Sequence, residues 1–178
     1  MGRVAFIPWT KFQNADEFAG YVRKWNSANT HSGHQWTIVM WKDKTAAATM
    51  GNLGFGSTIR IVGHGEAGSH KISCDEAGSN GLSYEAVFDR LVTSGLKRSF
   101  AGTIDCHSCS SGVPRPGSQS FAAKLANHLR LNVYLLISVV GYFGDLNADY
   151  FDNGGKYVHK YVEMFGGEVK KKWARMRF

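Results

Sequence analysis

Ile59-Arg60-Ile61-Val62-Gly63-His64-Gly65 is an apolar, β-branched run that ends in a histidine held between two glycines. A second run, Thr103-Ile104-Asp105-Cys106-His107-Ser108-Cys109-Ser110-Ser111-Gly112, ends in cysteines and a turn-rich tail. Each reads as a strand. In an open parallel sheet, ligands and reacting groups gather beyond the carboxyl ends of the strands. If the two runs are neighbours in such a sheet, an imidazole is placed beside a thiol, which is the pairing nucleophilic cysteine chemistry requires.

The flanking sequence supports that sheet. Val4 to Ile7 reads as a short strand stopped by Pro8. From Asp16 to about Asn26, Phe18, Tyr21, Val22 and Trp25 recur at helical spacing. Trp36 to Trp41 reads as a second strand, Ala46 to Met50 is too short to assign, and Lys71 to Cys74 reads as a short strand or a hairpin arm. Ser83 is placed to cap a helix through Val87, Phe88 and Leu91 that stops at Gly95. After Pro114 and Pro116, Ser118 or Ser120 can cap a helix carrying Phe121, Leu125 and Leu129. Val133 to Val140 reads as a buried strand. Tyr157 to Met164 suits a strand or a helix. Strand followed by helix, repeated without a linker, predicts one α/β domain over residues 1–178, a mostly parallel sheet flanked by helices.

The chemistry centres on the thiols. Cys109 stands where a strand gives way to a turn, so His64 can take its proton, and backbone N–H groups near Gly65 and Cys109 can hold an oxyanion. Cys106 is the alternative nucleophile. Cys106-His107-Ser108-Cys109 also has a CxxC spacing, but a redox pair would open a helix, and no second ligand pair completes a zinc site. No metal is expected. Asp105 and Tyr142 are candidate substrate contacts beside the strand ends, and Glu66 is a candidate to orient the imidazole. His107 reads as a neighbour of the site.

Composition sets the outer bounds. With 43% hydrophobic residues the chain can bury a core, and three cysteines are too few for a disulfide framework. No run reaches the roughly 18 apolar residues of a membrane span. The first residues turn polar too soon for a signal peptide, so the expectation is a cytoplasmic protein or one delivered into a host cell without a classical signal. Formal net charge is +7. Lys170, Lys171, Lys172, Arg175 and Arg177 form a cationic cluster that reads first as a solvated tail, then as a site for a small polyanion or anionic lipid, and last as one for nucleic acid.

Ile61-Val62-Gly63-His64-Gly65, Gly81-Leu82-Ser83-Tyr84-Glu85, the cysteine strand and Phe121-Ala122-Ala123-Lys124-Leu125-Ala126 before Val139-Val140-Gly141-Tyr142 occur in an order that resembles the caspase-like cysteine peptidases. The nearest likeness is to the self-processing domains of large bacterial toxins, and it covers about residues 55 to 145. The resemblance implies a caspase-like three-layer sandwich and a toxin or effector module that hydrolyses peptide bonds of a protein or peptide substrate. It implies that His64 assists a Cys109 nucleophile. It also implies inositol hexakisphosphate as an activator in a basic pocket, for which the C-terminal cations are the candidates; the chemistry itself needs no cofactor. The chain departs from that pattern at Ser108, where toxin domains carry glycine, and in its polar Asp105, Cys106 and His107. Asp105-Cys106-His107-Ser108 is similar to the Asp-x-Cys-His-Ser-Gly of metacaspases with one residue missing, which keeps Cys106 in play. Two alternatives stand beside the peptidase: an inactive peptidase-like protein-binding module, and a thiol enzyme of acyl transfer or deamidation.

Overall fold

The computed structural model describes residues 1–13, 15–28, 35–142, 145–147, 160–162 and 175–177. Five parallel strands form its centre: β1 (Arg3–Ile7), β2 (Thr37–Met40), β3 (Ser57–Val62), β7 (Gly102–His107) and β8 (Ile137–Tyr142). Their order across the sheet is β8-β7-β3-β1-β2, and β11 (Arg175–Arg177) pairs antiparallel to the outer edge of β8. Between β3 and the helix that follows it lies a small antiparallel sheet of β4 (His64–Gly65), β5 (Lys71–Ser73) and β6 (Leu82–Ser83). β9 (Asp145–Asn147) and β10 (Lys160–Val162) form an antiparallel pair.

Four α-helices connect the parallel strands: α1 (Ala15–Ala28), α2 (Ala46–Gly51), α3 (Tyr84–Thr93) and α4 (Phe121–Leu131). Crossovers between parallel strands are right-handed, and with this strand order that puts α1 on one face and the other three on the opposite one. Side-chain contacts agree. Trp25 of α1 lies over Arg60 of β3 and His107 of β7. Ala122 of α4 abuts Gly141 of β8, and Ala47 of α2 abuts Gly95 at the end of α3. Apolar strand residues such as Ile59, Ile61, Ile104 and Val139 are buried between the layers.

The helix signals act as read. The Ser83 hydroxyl accepts from the Ala86 N–H, and Gly95 ends the segment at φ 100°. Ser120, not Ser118, caps α4 by accepting from Ala123 N–H. The ambiguous Ala46–Met50 stretch is helical, with Ala46 and Met50 buried. One expectation is corrected. The last parallel strand begins at Ile137, not Val133, because Val133 at φ 68° turns the chain and leaves Leu135 and Leu136 in solvent. Of the Tyr157–Met164 stretch, Lys160–Val162 is a strand and the remainder lies outside the described residues.

Candidate active site

Registry brings the two ends together. β3 and β7 pair from Ser57 opposite Gly102 through to Val62 opposite His107. His64 and Cys109 each lie two residues beyond those last partners, at the carboxyl ends of the two strands. Gly65 then crosses directly over the turn that carries the thiol. A methyl group at Gly65 would collide with the Cys109 carbonyl oxygen and stand 3.1 Å from Ser108 Cβ. Gly63 is fixed just as tightly: a Cβ there would lie 2.9 Å from the Trp9 ring. The two glycines around His64 therefore serve close approach, with the aromatic floor on one side and the cysteine turn on the other.

His64 is half-buried. Its ring lies 5.0 Å from that of Phe18 on α1, inclined at 56°. Nε2 is buried and has no hydrogen-bond partner among the described residues. Glu66 does not orient the imidazole. It is exposed and binds Arg115 at 2.7 Å, an ion pair that ties the loop after β4 to the loop after β7. The same strap includes a hydrogen bond from Gly68 N–H to the Val113 carbonyl at 2.9 Å.

The cysteine turn is held from below by Ser111. Its hydroxyl donates to the Cys106 carbonyl at 2.6 Å and accepts from Tyr142 N–H at 3.1 Å. Its carbonyl accepts from Ala122 N–H, and Gly112 N–H donates to the Tyr142 carbonyl. That last bond needs two backbones in contact, and a Cβ on Gly141 would come within 2.8 Å of Gly112 Cα. Ser110 adopts φ 51°, a left-handed conformation that costs a non-glycine residue free energy and recurs at functional turns. Among the described residues its N–H has no hydrogen-bond acceptor, which leaves a donor next to Cys109 where an oxyanion would form.

The thiols sit in different surroundings. Cys109 is partly exposed. Cys106 is wholly buried, and burial, reinforced by the nearby Asp105 carboxylate, pushes its thiol pKa well up. A thiol held protonated in the core is a poor nucleophile at neutral pH, so the geometry favours Cys109. Zinc ligation by Cys106, His107 and Cys109 fails for a simpler reason: consecutive residues of a strand point to opposite faces.

Asp105 and Tyr142, the candidate substrate contacts, are both buried. Asp105 is buried on the α1 side, where Arg60 Nε and Nη2 reach its Oδ2 at 3.0 and 2.9 Å. The Arg60 guanidinium is itself stacked 4.2 Å from the Trp36 ring. Tyr142 is buried with its ring edge-on to His107, whose other neighbour is Trp25 at 4.8 Å. These residues brace the site from within the fold. Lys170, Lys171 and Lys172 lie outside the described residues, and Arg175 and Arg177 belong to β11, with Arg175 opposite Tyr142.

A cleft of about 460 Å³ opens beside His64, walled by Gly65, Lys71, Asp75, Glu76 and Gly81. Its outer wall is the 75–80 turn. Asp75 accepts from the backbone N–H and side chain of both Ser79 and Asn80, and the Asn80 amide above all lowers its pKa to about 2.

The helical spacing of Phe18 and the turn at Ser110-Ser111 were visible in the sequence, but not the packing of Phe18 on His64 or the bridging hydroxyl of Ser111; for the backbone contact beneath the turn, the glycines of Ser111-Gly112 and Val140-Gly141 were the available clue. No protein-family model and no curated protein matches this chain.

Proposed function

We propose that this chain is a cysteine endopeptidase of the caspase-like kind, with Cys109 as nucleophile and His64 as its general base. His64 takes the Cys109 proton, and the thiolate adds to the peptide carbonyl carbon. The oxyanion is held by backbone N–H groups of the cysteine turn, Ser110 among them. Collapse breaks the C–N bond, and the leaving amine takes the proton from His64. Water, deprotonated by His64, then releases the acyl group and restores the thiol.

The observation that carries this reading is the crossing of Gly65 over the Cys109 carbonyl, which fixes the histidine strand against the cysteine turn. A mostly parallel sheet with both groups at its carboxyl ends supports it. So does the contrast between a partly exposed Cys109 and a Cys106 locked in the core. No carboxylate among the described residues hydrogen-bonds the imidazole, so the reading is of a dyad, with Phe18 packing against the ring.

Incubation with a peptide library, followed by mass spectrometry of new termini, tests it. Cys109→Ala is expected to reduce cleavage to background and His64→Ala to slow it by roughly 10²–10⁴-fold, each with an unchanged circular dichroism spectrum. Cleavage that survives Cys109→Ala would overturn the assignment. Mass changes without cleavage would move the chemistry to acyl transfer or deamidation on the same thiol.

A further inference from the structure

We infer that the amino-end face of the sheet, opposite the His64–Cys109 end, docks on an anionic lipid surface. The turn from α4 into β8 presents Leu131, Val133, Leu135 and Leu136 at 84, 56, 69 and 68% exposure. This is a built turn. Tyr134 in its middle is buried, with its ring 5.6 Å from that of Phe88 and its hydroxyl donating to the Leu96 carbonyl at 3.3 Å. Val133 sits at φ 68°, a left-handed conformation that is a true outlier for a β-branched residue. The chain is thus held in an unfavourable turn that displays four apolar side chains around one anchor.

Charge decides what covers them. Leu96, which the Tyr134 hydroxyl reaches, is followed by the exposed cations Lys97 and Arg98, and Leu131 follows the exposed Arg130. From residue 90 to residue 144 the only acidic side chain is Asp105, which is buried against Arg60. Phe55, 86% exposed, lies at the same end of the sheet in the loop before β3, where Gly56 N–H donates to the Ala101 carbonyl. Carboxylates gather at the other end of the sheet, as Asp16, Glu17, Asp43, Glu66, Asp75 and Glu76.

Exposed leucines beside Lys97, Arg98 and Arg130, with no exposed carboxylate among the described residues from 90 to 142, fit a bilayer surface with anionic headgroups. A second copy of this chain on the same patch would set like charges against each other. Leucine and valine offer a nucleic acid neither stacking nor base contacts. No helix among the described residues is long and apolar enough to cross a membrane, so the association is peripheral. Docked this way, the carboxyl end with His64 and Cys109 points away from the lipid.

Sedimentation of the full chain with phosphatidylcholine vesicles, with and without phosphatidylserine, tests the inference. Binding is expected only with phosphatidylserine. Leu135→Ser/Leu136→Ser and Lys97→Glu/Arg98→Glu change exposed residues, and each pair is expected to weaken binding at least about tenfold. Three outcomes overturn the inference. The first is no binding to anionic vesicles. The second is binding that both double variants leave unchanged, which would transfer the contact to the cluster from Lys170 to Arg177. The third is self-association by ultracentrifugation that the leucine variant abolishes, without lipid binding, which would make a second copy the occupant.

Discussion

Strand β7 and the turn that leaves it carry the two competing thiols, yet they are held in place by different physics. Inside the strand, Cys106 is opposite Ile61, fully buried, and its position follows from apolar packing between layers. Beyond the strand end, Cys109 is fixed by the Ser111 hydroxyl, a left-handed Ser110 and the backbone of Gly65 pressed on its carbonyl. Packing tolerates many apolar residues of similar volume. Backbone contact and a bridging hydroxyl tolerate almost none. The difference separates a thiol that builds the core from one held at a partly exposed turn, although both arise from a single CxxC spacing.

The largest expected effect is in thiol reactivity. Iodoacetamide applied to the native protein near neutral pH is expected to label Cys109 rapidly. Cys106 and Cys74 are both fully buried with thiol pKa values raised, first by burial, and they react only when the fold opens. Opening of core strands draws on most of the global stability, so their labelling should lag by at least about 10³-fold. Mass spectrometry of tryptic peptides reads the ratio. Comparable rates at Cys106 and Cys109 would break the distinction between strand and turn.

A pair of small substitutions sharpens it. Gly65→Ala forces a methyl group onto the Cys109 carbonyl and Ser108, and relief requires the turn to move. The stability cost is expected at about 1–3 kcal/mol, with cleavage slowed about 100-fold because the thiol is displaced from the imidazole. Cys106→Ser places a hydroxyl in the core at a similar cost of about 1–3 kcal/mol. Its cleavage rate is expected to stay within about twofold once allowance is made for the unfolded fraction. Thermal melts and peptide cleavage on the same preparations separate the two. Equal rate losses in both variants would show that core and turn are one mechanical unit.

The strands and helices were legible because their signals are local. Two-residue alternation in Ile59–Val62, helical spacing of Phe18, Val22 and Trp25, and the caps Ser83 and Ser120 each act within a few residues. The adjacency of the two runs stood in the sequence only as a condition, and the pairing of β3 with β7 supplies it. What escaped were partnerships across the chain. Nothing near Asp105 announces that Arg60, on the neighbouring strand, pairs with it inside the fold. Glu66 sits beside the histidine in sequence, yet Arg115 draws it to the surface. Val133–Leu136 looks like strand by composition, but the buried Tyr134 anchors a turn there.

The smallest expected effect concerns the cleft beside His64, whose wall, like the cysteine turn, is built from hydrogen bonds. Asp75 is held to about 2, chiefly by the Asn80 side-chain amide and then by Ser79, against an ordinary value of 3.8. A carboxylate with a lowered folded pKa contributes stability in full above its unfolded value and loses it as pH falls through the folded one. The 75–80 turn should therefore be at full strength at neutral pH and loosen between about pH 4 and pH 2. Asp75→Asn keeps the shape but removes the charge and one acceptor oxygen, so the turn should be weaker at pH 7 and lose this acid-dependent step. Amide chemical shifts of Ser79 and Asn80, followed by NMR from neutral pH downward, report both effects. If those shifts move in the wild type but Ile104 and Cys106 amides do not, loop and core yield separately. Simultaneous movement of both sets would mean that the cleft wall has no stability of its own and opens only with the sheet.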